Sequence, residues 1–430
     1  MRKRRLVMVG NGMAGMRTLE ELLKIAPGAH DITVFGAEPH PNYNRIMLSP
    51  VLAGEQTLEE IVLNPVQWYA ERGITLHLGK QVVEIDRRRR TVRAADGTTA
   101  EYDRLLLATG STPFILPVPG KDLPGVIGYR DIADTNAMIE AASRHRHAVV
   151  IGGGVLGLEA ANGLKQRGMD VTVVHIAPWL MERQLDRHAA ALLQQTLEAR
   201  GLRFRIGAQT QELVAGPGAD GQARVAAVRF KDGSEIPADL VVMAAGIRPN
   251  TALAQSAGLH CDRGIVATDT LQTVTDPRIY AVGECANHRG TAYGLVAPLY
   301  EQARVCATHL AEVGIGRYTG SQVSTKLKVT GIELFSAGDF MGGEGCEEMV
   351  LSDPDDGVYK KLVLKGGKLV GACLYGDTGD GPWYYELVRE GRDVQALRSR
   401  LMWGRQHAER AAASAPPLPP AGRSRLALAA

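Results

Sequence analysis

Two glycine-rich turns in this chain have the residue types and spacing to hold a nucleotide diphosphate. The first is Gly10-Asn11-Gly12-Met13-Ala14-Gly15, after the apolar run Leu6-Val7-Met8-Val9. The second is Gly152-Gly153-Gly154-Val155-Leu156-Gly157, after Ala148-Val149-Val150-Ile151. In such a turn the first glycine permits a tight bend, the second leaves room for a pyrophosphate, and the third lets the next helix close on the strand. Backbone N–H groups at the helix start then point at the phosphates. A lone pattern arises by chance in a chain with 49 Gly; two copies, each between a strand-like and a helix-like run, are hard to attribute to chance. Two dinucleotides in one chain suggest electron transfer between them.

The elements that must position these turns follow from periodicity. Residues 6–9 read as a buried parallel strand and Met13–Ile25 as the helix behind it. A second strand at 32–35 leads to Glu38, about 20 residues beyond Gly15, the spacing of a carboxylate that binds a ribose hydroxyl. The alternative for Glu38 is an exposed loop residue. In the second copy the strand at 171–174 ends at His175. A carboxylate there would accept the 2′-hydroxyl of NADH, and an Arg cluster would pair with the phosphate of NADPH. His175 does neither cleanly, and Arg183 is too far along the chain to weigh heavily. The choice between NADH and NADPH stays open, with Gly157 as third glycine leaning slightly to NADH.

At 430 residues the chain has room for roughly three domains of about 150 residues. Its 45% apolar and 22% charged composition is that of a globular protein with a sizeable core. A net charge of +2 gives no reason to invoke nucleic acid or a membrane surface. The five Cys form no C-x-x-C pair, no zinc spacing and no iron–sulfur set, which argues for a reducing compartment. The basic start Met1-Arg2-Lys3-Arg4-Arg5 reads as a lead-in to the first strand, because a signal peptide would have to contain the glycine turn. No run approaches the ~18 apolar residues of a membrane span. A cytoplasmic protein is the expectation.

Further segments carry a resemblance to the two-dinucleotide flavoprotein reductases of the glutathione-reductase fold. Leu105-Leu106-Leu107-Ala108-Thr109-Gly110 resembles the segment where the chain leaves the FAD domain, and Ala244-Ala245-Gly246-Ile247-Arg248-Pro249-Asn250 the segment where it returns. Ile279-Tyr280-Ala281-Val282-Gly283-Glu284 resembles the second FAD motif, with Glu284 for the more usual Asp on the ribityl chain. Within that fold, Glu38-Pro39-His40-Pro41-Asn42-Tyr43-Asn44-Arg45, Tyr293-Gly294-Leu295-Val296-Ala297-Pro298-Leu299-Tyr300 and Ser324-Thr325-Lys326-Leu327-Lys328-Val329-Thr330-Gly331 resemble the N-terminal half of the NAD(P)H-dependent nitrite reductase large subunit. The electron-transfer subunit of assimilatory nitrate reductase shares that half.

The resemblance implies an α/β protein with two Rossmann-like dinucleotide-binding domains and a small C-terminal α+β domain. The FAD-binding domain is expected at 1–113 and 243–316, the NAD(P)-binding domain at 114–242, the C-terminal domain at 317–409 and a disordered tail at 410–430. FAD would be held by Gly10, Gly12, Gly15, Glu38, Arg45, Thr109, Gly110, Gly283 and Glu284, and NAD(P)H by Gly152, Gly154, Gly157 and His175, with Gly246 in the returning segment. Arg45 suits a pyrophosphate contact, or a surface salt bridge. The nitrite reductase subunit continues into iron–sulfur and sirohaem domains whose ligands are missing here. Electrons would therefore pass to a separate acceptor protein, a nitrite or nitrate reductase or an iron–sulfur protein.

Disulfide reductases of the fold carry cysteines in the stretch matching Asn42–Pro50, which has none here, so a sulfur relay is not expected. Ferredoxin and rubredoxin reductases carry a Lys where Pro50 stands, facing a Glu that matches Glu159. Glu159 is the candidate catalytic residue at the nicotinamide–flavin interface; the alternative is an ordinary helix residue. Cys285 could be a thiol activated by a helix start, or simply buried. Lys326, Lys328, Lys360 and Lys361 could guide an acidic partner, or form a solvated sheet face. Trp383-Tyr384-Tyr385 could lie in the core or at a homodimer interface. The expected function is an FAD-dependent NAD(P)H:acceptor oxidoreductase serving nitrite or nitrate reduction. The alternatives are a ferredoxin or rubredoxin reductase and a slow-turnover flavoprotein redox sensor.

Overall fold

The computed structural model describes residues 3–218, 221–321, 324–326 and 331–414, the side chains of Lys326 and 411–414 excepted. Two compact units emerge. The first holds Met1–Arg183 and Leu193–Val323, and the second holds Gln184–Leu192, the strand Ser324–Lys326 and the chain from Gly331.

The first unit contains two five-stranded parallel sheets. One has the order Ile279–Ala281, Arg104–Leu107, Arg4–Val9, His30–Phe35, Thr75–His77. The other has the order Val126–Gly128, Leu240–Met243, His147–Ile151, Asp170–His175, Arg203–Ile206. Strands buried on both faces explain the unbroken apolar runs in the sequence. Leu6 and Met8 pack on one side with Met16, Leu19 and Leu22 of the helix Met13–Ile25. Val7 and Val9 pack on the other side with Leu105, Leu107 and Ile279.

The duplication extends well beyond the glycine turns. In each copy a three-stranded antiparallel meander lies between the third strand of the sheet and the strand that flanks the first. These meanders are Val82–Asp86, Thr91–Ala94, Thr99–Glu101 and Thr210–Pro217, Ala223–Phe230, Glu235–Pro237. The segment that leaves the first sheet, Ser111–Pro113, pairs antiparallel with the returning Ile247–Pro249. No helix among the described residues is long and apolar enough to cross a membrane.

The second unit is a five-stranded antiparallel sheet covered by the helix Gly381–Glu390. Its order is Ser324–Lys326, Leu334–Gly338, Lys368–Tyr375, Val358–Lys365, Glu347–Asp353. A hairpin turns at Gly366-Gly367, with Lys365 opposite Lys368 and both glycines at positive φ (56° and 78°), as a two-residue turn of the tight hairpin type requires. Trp383 and Tyr384 lie in this unit's core, and Tyr384 donates to the Leu401 carbonyl at 2.8 Å.

Lys360 and Lys361 depart from the docking expectation and from the solvated-face alternative. They are only 6% and 7% exposed, and they bond Asp377 at 2.5 Å and Glu348 at 2.9 Å. Charges this buried are retained because they are paired. Lys328, the Lys326 side chain and residues 415–430 of the expected tail lie outside the described residues.

Candidate nucleotide and electron-transfer site

The two glycine turns have matching geometry. Gly10 and Gly152 take φ of +106° and +133°, and a Cβ on either would collide with the carbonyl of Ala108 or Ala244 respectively. Gly15 and Gly157 sit where a Cβ would press on the same strand–turn corner. Gly12 and Gly154 differ from the others. Each is the N-cap of its helix, at φ −87° and −84°, with no side-chain cap, and a Cβ on either would meet nothing within 4 Å. Both helices thus present unsatisfied N–H groups to open space beside a glycine, the arrangement that receives an anionic pyrophosphate.

At the first turn an orphaned donor adds to the fit. The Asn11 side-chain amide nitrogen is buried without a hydrogen-bond partner, while its oxygen accepts from Tyr69 at 2.8 Å and its carbonyl accepts from Asn42 at 3.0 Å. A ligand with phosphate or hydroxyl oxygens would satisfy that amide.

Glu38 and Arg45 belong to one network. The Glu38 carboxylate accepts from Tyr43 at 2.7 Å and from the Arg45 guanidinium at 2.6 Å. Arg45 also donates to the Arg130 carbonyl at 2.6 Å. The Arg130 guanidinium in turn pairs with Glu284, which accepts from Ser111 at 2.7 Å. Gly283 packs on Ala14 of the first helix, and its N–H donates to Gln302 at 2.9 Å. The network therefore joins Glu38 and Arg45 to Glu284, far along the chain, and its centre is Arg130, which sequence reasoning missed. The available signal was its place just before Asp131, whose side chain caps the helix Ile132–Arg144.

Thr109 and Asn250 exchange two bonds, hydroxyl to carbonyl at 2.9 Å and amide to carbonyl at 2.8 Å, so the leaving and returning segments are locked together. Gly110 and Gly246 hold the bends there at φ +66° and +121°. Cys285 is fully buried and its thiol is pushed up by that burial, so it is an inert thiol, not an activated one.

Glu159 is 8% exposed and accepts from Ser49 at 2.8 Å; the Ser49 hydroxyl also meets that of Tyr129 at 3.2 Å. Burial, and less strongly the charge of Glu159, raise the Tyr129 hydroxyl above its ordinary range, against a lowering by the Ser49 bond, so it stays protonated. Ser49 belongs to the short helix Leu48–Ala53. That helix packs on Val155–Gln166, with Leu52 filling the space a Cβ on Gly163 would need. Glu159 on the second fingerprint helix is thereby tied to the 42–50 stretch beside the first nucleotide site.

His175 ends its strand against the second turn. Its Nδ1 accepts the Gly153 N–H at 3.1 Å, which leaves the proton on Nε2 facing Glu182 at 3.0 Å. Glu182 is a second residue the sequence reading missed, because it lies outside the strand-end position where such a carboxylate is sought. No group of three or more metal-ligating side chains occurs among the described residues.

Comparison with known proteins accords with this geometry. Residues 4–309 match the pyridine nucleotide-disulphide oxidoreductase family, and residues 324–392 match the rubredoxin NAD+ reductase C-terminal domain. The chain is 52% identical over 394 residues to a nitrite reductase (NAD(P)H) of Bacillus subtilis, covering 92% of this chain and 48% of that protein. It is 46% identical over 402 residues to the assimilatory nitrate reductase electron transfer subunit of the same organism, covering 94% and 51%. The chain thus spans about half the length of these relatives. Among solved structures, that of the covalent putidaredoxin reductase–putidaredoxin complex aligns with a TM-score of 0.83 at 28% identity, covering 96% of this chain and all of that one.

Proposed function

The chain belongs to the pyridine nucleotide-disulphide oxidoreductase family, and on that premise we propose that it is an FAD-dependent NAD(P)H:acceptor oxidoreductase. It passes electrons to a separate redox protein, in nitrite or nitrate reduction. The observation that carries the reading is the pair of open, uncapped helix starts at Gly12 and Gly154, one on each parallel sheet.

The bound flavin would accept a hydride from the nicotinamide and release electrons onward. The chain's own residues bind and orient. Gly12 and the Asn11 amide receive the pyrophosphate region, with Arg45 placed to add positive charge. Glu38 is directed at the adenosine ribose, and Glu284, anchored by Arg130 and Ser111, at the ribityl hydroxyls. Gly154 receives the nicotinamide nucleotide, and Glu159 lines the interface between the two. The FAD-binding domain is 1–113 with 243–316, the NAD(P)-binding domain 114–242, and the C-terminal domain 317–409. We place the protein in the cytoplasm; a homodimer is compatible with this reading.

A rubredoxin- or ferredoxin-type acceptor is the second reading, favoured by the match at residues 324–392. Steady-state NADH oxidation by the FAD-loaded protein tests the proposal. Turnover with a one-electron acceptor near or above about 1 per second is expected of an enzyme of this kind. Turnover orders of magnitude slower would assign the chain to a redox sensor.

A further inference from the structure

The strand-end residue that should discriminate NADH from NADPH is a histidine, yet the structure places a carboxylate beside it. We infer that Glu182, positioned by His175, is the group that selects NADH over NADPH; this rests on the proposed assignment of the second glycine turn to the nicotinamide nucleotide.

Both backbone groups of Gly153, in the middle of that turn, are tied to the segment that carries Glu182. The Gly153 N–H donates to His175 Nδ1 at 3.1 Å, and the Gly153 carbonyl accepts the Met181 N–H at 3.0 Å. The packing is equally tight, since a Cβ on Gly153 would lie 2.7 Å from both His175 Cγ and Leu180 Cδ2. Met181 is fully buried and holds φ of +52°, a left-handed conformation unfavourable for a side chain of its size. The residue that follows this bend is Glu182. Its Oε2 accepts from His175 Nε2 at 3.0 Å, and the side chain keeps 32% exposure.

A carboxylate accepts hydrogen bonds only, so it suits a ribose 2′-hydroxyl and repels a 2′-phosphate. Arg183 beside it is 86% exposed with Nε 3.8 Å from Glu182 Oε1, a loose, solvent-screened pair that leaves most of the carboxylate's charge uncompensated. His175 makes no ligand contact in this scheme. It fixes which way Glu182 points.

Calorimetric titration of the FAD-loaded protein with ADP-ribose and with its 2′-phosphate tests the inference without any turnover. ADP-ribose should bind at least about tenfold tighter, the loss expected when a charge-assisted hydrogen bond cannot form. Glu182→Gln should bring the two affinities to within about threefold by weakening ADP-ribose and strengthening the phosphate. His175→Phe, which keeps the ring against Gly153, should lose part of the preference, and His175→Gln should restore it. Unchanged FAD content and melting temperature would show that the variants fold. Equal binding by the parent protein, tighter binding of the 2′-phosphate, or a preference untouched by Glu182→Gln would overturn the role of Glu182. Binding of neither ligand would instead overturn the assignment of the second turn.

Discussion

Glu159 ends a row of hydroxyls that runs from Tyr129 to Ser49 to its carboxylate. Glu159→Gln keeps the volume and can still accept from Ser49, so the fold should be unaffected while the charge is lost. The expected outcome is normal FAD content with flavin reduction by NADH altered several-fold in anaerobic rapid mixing. An unaltered rate would return Glu159 to the role of an ordinary helix residue. A second prediction at this scale concerns His30, which is buried with both ring nitrogens lacking hydrogen bonds. Burial first, then Arg4 and Arg104, lower its pKa below the ordinary 6.5. A folded-state value below the unfolded one means that stability is present above the unfolded value and is lost as pH falls through the folded one. His30→Leu should therefore raise the melting temperature more at about pH 5 than at about pH 8. Equal shifts at both would show that His30 does not titrate with unfolding.

At the scale of elements, the glycines of each turn divide into two kinds, and the division is testable. Gly10→Ala and Gly152→Ala put a methyl into a backbone carbonyl at positive φ, and should destabilise by about 1–3 kcal/mol or more. Gly12→Ala and Gly154→Ala add a methyl to open space, and should leave the melting temperature of the apoprotein nearly unchanged. They should instead weaken FAD and nicotinamide nucleotide respectively, read by flavin retention and by ADP-ribose titration. Loss of stability in all four variants, with nucleotide affinity intact, would mean the open side of Gly12 and Gly154 is no cradle. Much of this was legible in the sequence. A parallel strand buried on both faces must read as an apolar run, so residues 6–9 and 148–151 announced themselves, as did the helix Met13–Ile25. The matching three-stranded meanders were not legible as a duplication, since short antiparallel strands tolerate almost any alternating sequence. Arg130 and Glu182 were hidden for a related reason. Each acts through one side-chain contact set by tertiary packing, which leaves no periodic trace. Lys360 and Lys361 misled because a charged pair in a sequence reads as surface unless the tertiary packing that buries it against its partners, here Asp377 and Glu348, is known.

At the scale of the whole molecule, the first compact unit holds two copies of one nucleotide-binding module on a continuous chain, and the antiparallel sheet of the second follows in sequence. The locked Thr109–Asn250 exchange and the Ser111–Pro113 pairing with Ile247–Pro249 join the leaving and returning segments without a break in either sheet. The Ala-Thr-Gly and Ala-Ala-Gly corners occupy equivalent positions in the two copies, with Ala108 against Gly10 and Ala244 against Gly152. The most direct test of the central claim is anaerobic titration of the FAD-loaded protein with NADH, followed by flavin absorbance, in parallel with Gly154→Ala. The account predicts that the flavin bleaches with about one equivalent of NADH per FAD and that Gly154→Ala retains its flavin but needs a large excess. A flavin that stays oxidised in excess NADH and NADPH, or that bleaches identically in Gly154→Ala, would contradict it.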